Sequence, residues 1–198
     1  MMSSRKLQLV DILDLREYER ERESLRNSVI AVKGRRRVAL GPVVTLMFEN
    51  RETVRSQIQE MLRAEKVTDD RGVVEELNAY NPLIPEIGQL CATLFVELTT
   101  DRELREWLPK LVGIEGSIVF NLRDGSQVRS ITEEGHAESL TRADITAAVH
   151  YVRFEFNSDQ VNEFARGPVE VACDHPAYLE SVELSPTIVT ELLSDLRS

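Results

Sequence analysis

SIVFNLRDGSQVRSI, residues 117–131, is the stretch whose reading decides the fold. Ser117 to Leu122 and Gln127 to Ile131 are short runs rich in strand-forming residues, and Asp124-Gly125 between them is the strongest hairpin signal in the chain. A second hairpin follows from Val169 to Cys173 and Tyr178 to Leu184, around Asp174-His175-Pro176-Ala177. Tight turns of this kind join antiparallel strands, whereas parallel neighbours need a long crossover.

Working outward, helical periodicity appears on both sides of these hairpins. From Val10 to Val32, the residues Ile12, Leu15, Tyr18, Leu25, Val29 and Val32 recur at three- and four-residue steps. The opposite face is charged. Its favourable i,i+3 pairs and unfavourable i,i+4 pairs nearly cancel, so the apolar face must hold this helix. Gly34 ends it, and Val38 to Phe48 reads as one strand with an edge or bulge at Gly41-Pro42. Asn50 caps a helix from Arg51 to about Lys66, with Val54, Ile58, Met61, Leu62 and Glu65 inward. Further helices are expected over Asp70 to Tyr80, over Asp101 to Val112, where Pro109 argues for a kink or an early end, over Asp159 to Ala165, and after Ser185-Pro186, where Ile188, Val189, Leu192 and Leu196 face the core. Strands are expected at Gln89 to Leu98 and Ile145 to Phe156. Antiparallel hairpins mixed with helices give an α+β fold with mostly antiparallel sheets. A main part over residues 1–131 and a strand-rich part over 145–198 are expected, in one domain or two, joined by a mobile polar loop at 132–144.

Composition narrows the function. The 198 residues are 42% hydrophobic and 29% charged, with a formal net charge of -10. That charge repels a phosphate backbone, so nucleic acid is not expected as a partner. The basic run Lys33-Gly34-Arg35-Arg36-Arg37 reads as a helix-terminal charge cluster, with docking of an acidic partner as the alternative. No run reaches the roughly 18 apolar residues of a membrane span, and the N-terminus lacks a signal-peptide core. A cytoplasmic protein without membrane attachment is expected. Cys91 and Cys173 lie apart in strand-like runs and read as buried reduced thiols. Phosphate-loop, dinucleotide, serine-hydrolase and zinc-protease motifs are absent, so no catalytic residue and no cofactor is assigned.

Two polar clusters stand out. Glu49, Asn50, Arg51, Arg55, Gln57, Gln59, Glu60 and Arg63 start the second helix, with Arg51, Arg55 and Gln59 four apart on one face. Arginines near a helix N-terminus suit an anion or an acidic partner, whereas the plainer reading is a solvated face of weak ion pairs. The other cluster is His150 with Asp174 and His175, which adjacent antiparallel strands would bring together as metal ligands. Its plainer reading is a capped turn and a hydrogen-bonded sheet histidine. Cys173 beside Asp174-His175 also permits a nucleophile.

Eight blocks spread along the chain carry a resemblance. They are DILDLREYE (11–19), RVALGP (37–42), TLMFENR (45–51), QIQEM (57–61), NPLIP (81–85), VGIE (112–115), VHYVRFEF (149–156) and DHPAY (174–178). Over nearly its whole length the chain resembles a bacterial family known as domain of unknown function 3501. The resemblance carries no established activity. It implies a genomic setting beside a rubrerythrin-like di-iron protein and a cysteine-rich iron–sulfur oxidoreductase. A ferritin-like di-iron site needs two Glu-x-x-His pairs, which the chain does not have, so it is not expected to be the di-iron protein itself. An accessory or adaptor protein docking on such a partner is the first expectation. A small-molecule or metal-binding enzyme using the Arg51/Arg55/Gln59/Glu60 face or the His150/His175 pair is the second, and a homo-oligomer built through the first helix is the third.

Overall fold

Helices begin where the sequence supplies an acceptor for their first free N–H groups. Asp14, Asn50, Asp69, Thr100 and Asn157 each cap a helix through the side chain. Asn50 is reciprocated by Thr53, whose hydroxyl accepts from the Asn50 amide at 2.9 Å. The structure is a computed structural model and describes residues 5–132 and 145–197. The loop expected at 132–144 lies, from residue 133 on, outside the described residues.

In chain order the elements are α1 (Leu15–Gly34), β1 (Arg37–Leu40), β2 (Val44–Phe48), α2 (Arg51–Glu65), α3 (Asp70–Tyr80), β3 (Gln89–Val96) and α4 (Asp101–Trp107). There follow β4 (Ile118–Asn121), β5 (Gln127–Arg129), β6 (Ile131–Thr132), β7 (Val149–Glu155), α5 (Ser158–Arg166), β8 (Glu170–His175), β9 (Tyr178–Glu183) and α6 (Pro186–Arg197). One sheet has the order β1-β2-β3-β7-β6 and the other β5-β4-β8-β9. Among the described residues the strand ladders are antiparallel, and the fold is α+β. Both sheets draw strands from either side of residues 133–144.

The inner faces of the two sheets share one core. Leu46, Leu94, Val152 and Phe154 from the first sheet meet Phe120 and Val171 from the second. Phe120 is its centre, edge-on to Phe154 at 4.8 Å and to Phe156 at 5.4 Å between ring centroids. A buried side chain of this size contributes about 1.5–3 kcal/mol. A smaller cluster of Val54, Ile58, Leu62, Leu77, Leu83 and Ile84 joins α2 and α3, and Tyr151 of β7 packs against it.

Three expectations are corrected, and one left open between two outcomes takes the second. Val38 to Phe48 is a hairpin, because Gly41 takes φ 70° and Pro42 follows, so the chain reverses there. The Tyr178 hydroxyl seals that turn by donating to the Leu40 carbonyl at 2.6 Å and accepting from the Val43 amide at 3.0 Å. The first helix starts at Leu15, where Asp14 caps it, after a short 3-10 turn at Leu9–Asp11. The fourth helix takes the early end that Pro109 argued for, stopping at Trp107. Glu65 is exposed, and Gln59 takes a buried place on α2 instead.

The basic run divides. Arg36 is 1% exposed, donates to the Phe48 carbonyl at 3.0 Å, and is ion-paired with Glu191 and Asp195 of α6. It ties the C-terminal helix to the first hairpin rather than facing a partner.

Candidate functional site

The arginine-rich face of α2 is spent largely inside the molecule. Glu60 accepts a bidentate pair from Arg22 at 2.8 and 2.9 Å and the Tyr18 hydroxyl at 2.6 Å. The Arg22 guanidinium holds the Glu60 carboxyl down to about 2 against burial, with Tyr18 assisting. Burial, reinforced by Glu60, lifts the Tyr18 phenol to about 12. Arg63 pairs with Glu19 at 2.5 Å. Gln59 clamps the backbone of Leu13, accepting its amide at 2.7 Å and donating to its carbonyl at 3.3 Å. Arg51 pairs with Asp11 at 2.7 Å. Burial pushes the Asp11 carboxyl up, but the Gln8 amide and Arg51 outweigh it, so the net direction is down. The seam joins α1 and the segment before it to α2.

The histidine cluster does not assemble. β7 and β8 belong to different sheets, so His150 and His175 are not on adjacent strands. His150 Nε2 lies 2.9 Å from both the Thr146 hydroxyl and the Ala147 carbonyl. His175 Nε2 donates to the Val112 carbonyl at 3.0 Å, while Nδ1 accepts the Ala177 amide at 3.2 Å. Asp174 is held by Arg129 at 2.8 and 2.5 Å. Among the described residues no three His, Cys, Asp or Glu side chains converge as metal ligands. Cys173 is buried, and burial pushes its thiol up, away from a thiolate nucleophile.

A different site emerges on the outer face of the first sheet. Arg37 pairs with Met47, Met47 with Thr93 and Thr93 with Tyr151, which sets these four side chains in one row across β1, β2, β3 and β7. Phe95 and Val149 face each other in the next row. The chain leaves β2 at Glu49, two residues past Met47 and therefore on the same side. Its carboxylate accepts the Thr93 hydroxyl at 2.7 Å and the Thr53 hydroxyl at 2.5 Å. Val54 and Gln57 of α2, Tyr80 at the end of α3 and Lys33 in the last turn of α1 complete the walls.

These side chains enclose a cavity of about 290 Å³. Its floor of Met47, Val54, Leu83, Phe95 and Val149 is apolar, and its polar groups are Lys33, Arg37, Glu49, Gln57, the Thr93 hydroxyl and the two phenols. Burial, then Tyr80 and then Glu49, raise the Tyr151 phenol, as expected beside a charged carboxylate. Arg37 lies over the Phe95 ring at 5.7 Å and is ion-paired with Glu97. A larger groove of about 540 Å³ runs between residues 9–16 and the α2–α3 corner. There Asp14 is committed to capping α1 and Gln59 to Leu13, and most of the wall is leucine, isoleucine and valine.

Of the sequence candidates, Glu49 and Gln57 line the cavity, Asn50 caps the helix beside it, and Arg55 faces a narrow crevice against α1. Lys33 and Arg37 were legible only as part of the basic run, not as cavity residues, and Tyr80, Thr93 and Tyr151 were missed. Their signal was the alternation Cys91-Thr93-Phe95 and Val149-Tyr151-Arg153, a polar and aromatic face opposite the aliphatic one.

Comparison with solved structures finds a novel protein of unknown function from Burkholderia pseudomallei, 36% identical, with a TM-score of 0.89 over 96% of this chain and 99% of that one. Comparison with curated proteins finds no match. The family model described as a protein of unknown function, DUF3501, matches residues 6–196. The chain belongs to the DUF3501 family.

Proposed function

We propose that the chain is a small-molecule-binding protein whose site is the cavity between the first sheet and α2–α3. The observation that carries this reading is a set of polar groups without partners over an apolar floor. Among the described residues, no hydrogen bond or ion pair involves the side chain of Gln57 or Tyr80, although both line the cavity. Ligand sites combine such a floor with a few convergent polar groups, and 290 Å³ lies near the lower end of their usual size. A thermal-shift screen of amino acids, organic acids, amines and neutral metabolites tests it, run in parallel on a Gln57→Trp variant. Gln57 is exposed on α2, so the indole fills the mouth without entering the core. Compounds of one class raise the wild-type melting temperature and lose that effect in the variant. No shift with any compound, or shifts that persist in Gln57→Trp, would overturn the reading.

A second reading is the accessory role that the family resemblance implies, with a rubrerythrin-like di-iron protein or an iron–sulfur oxidoreductase as partner. What favours it is the outer face of α1: of twenty residues only Tyr18 and Val29 are buried, and Ile30 is 62% exposed among charged neighbours. Pull-down from the native host, with metal analysis of the isolated chain, tests it. Recovery of neither partner removes the reading.

A further inference from the structure

Two opposite charges line the cavity without pairing. Glu49 is fixed by two neutral hydroxyls, and among the described residues no cationic side chain lies within ion-pairing distance of it. Lys33 lines the same cavity, and among the described residues its ammonium makes no hydrogen bond or ion pair. Arg37, by contrast, is neutralised by Glu97. A carboxylate and an ammonium that share one cavity over an apolar floor, yet are not paired, leave a favourable interaction unmade on each side.

We infer that the ligand is a small zwitterion, a molecule with a carboxylate and an ammonium group on an apolar body, such as a free amino acid. This rests on the cavity reading above. The ligand's ammonium docks on Glu49, whose carboxylate has about four acceptor sites and spends two on Thr53 and Thr93. Tyr80 and Tyr151 line the same cavity, Tyr151 close enough to feel the Glu49 charge, and aromatic rings in such a site favour a cation. The ligand's carboxylate docks on Lys33, with the Gln57 amide as a further donor. The apolar body lies on Met47, Phe95 and Val149. At about 30 Å³ per water, the cavity displaces about ten waters, room for a ligand of about ten non-hydrogen atoms. A singly charged ligand would leave either Glu49 or Lys33 desolvated and unpaired, which discriminates strongly against it.

Isothermal titration of the full chain with the standard amino acids, and with 2-phenylethylamine and 3-phenylpropionate as single-charge analogues, tests this. At least one amino acid binds, and removing either charge from the ligand weakens binding about ten- to a hundredfold. Lys33→Gln lowers amino-acid affinity by a similar factor, and in that variant the amine-only analogue is no longer penalised relative to the amino acid. Glu49→Gln shows the converse pattern with the acid-only analogue. Should Glu49→Gln fail to fold, Lys33→Gln and the analogue series still decide the matter. Equal binding of single-charge analogues, or binding indifferent to Lys33→Gln, overturns the zwitterion. A neutral or singly charged compound that binds best, and is lost in Gln57→Trp, overturns the zwitterion while the cavity reading stands. Binding by none of these compounds overturns the zwitterion, and the cavity reading falls with it only if the wider thermal-shift screen is also blank.

Discussion

Thr93 and Glu49 are joined across the β2–β3 ladder: the Thr93 hydroxyl donates to Glu49 Oε1 at 2.7 Å, from a side chain only 5% exposed. That bond aims the carboxylate into the cavity instead of toward solvent. Thr93→Val keeps the shape and removes the donor. The variant folds, loses about 1–2 kcal/mol in urea unfolding through the less satisfied carboxylate, and binds cavity ligands more weakly. A Thr93→Val protein with unchanged stability and unchanged ligand affinity would show that the bond does not position Glu49.

Arg36 and Asp195 form a buried ion pair between the first hairpin and the C-terminal helix. Burial pushes the Asp195 carboxyl up even though Arg36 pulls it down, so the pair sits where desolvation is costly. Arg36→Met alone strands Asp195 and costs about 3–5 kcal/mol, whereas Arg36→Met with Asp195→Leu recovers much of that loss. Chemical denaturation of both variants measures the difference, and equal losses in the two would contradict the buried-pair account.

Glu60 gives a pH signature. Its folded carboxyl lies near 2, below the ordinary value of 4.5, so its contribution to stability is complete above about 4.5. It is lost as pH falls through about 2. Glu60→Gln is therefore less stable at neutral pH and shows a shallower decline over that acid window. Melting curves across the window check the sign; parallel declines in wild type and variant would rule it out.

Gly41 must remain glycine. Its φ of 70° disfavours any side chain, and an added Cβ would lie 2.5 Å from the Tyr178 hydroxyl and 2.6 Å from Glu180 Cγ. Gly41→Ala is expected to cost more than about 1 kcal/mol, read as a lowered denaturation midpoint. A variant as stable as the parent would mean that the turn relaxes freely.

How far the sequence speaks for itself depends on whether a feature is local. Asp124-Gly125, the Asn50 cap and the β8–β9 hairpin are local, and their residues announced them. Gly41-Pro42 was ambiguous because a bulge and a reversal use the same residues; the Tyr178 hydroxyl that closes the reversal lies 135 positions from Val43. The His150–His175 pairing failed on strand order, which no local pattern encodes. The α2 polar cluster was visible, but its partners on α1 and the preceding segment were not, since Glu60 reads the same whether it meets Arg22 or water. The cavity is non-local by construction. Arg37, Met47, Thr93 and Tyr151 become neighbours only through cross-strand register, so only Glu49 and Gln57 were legible beforehand.

The most direct test of the cavity is a backbone amide NMR titration of the full chain with the compound that gives the largest thermal shift. Perturbations concentrated at Met47, Thr93, Tyr151 and the Gln57 turn of α2 are the predicted result. Perturbations confined to the outer face of α1 or to the groove at residues 9–16, with the cavity amides unmoved, would contradict it.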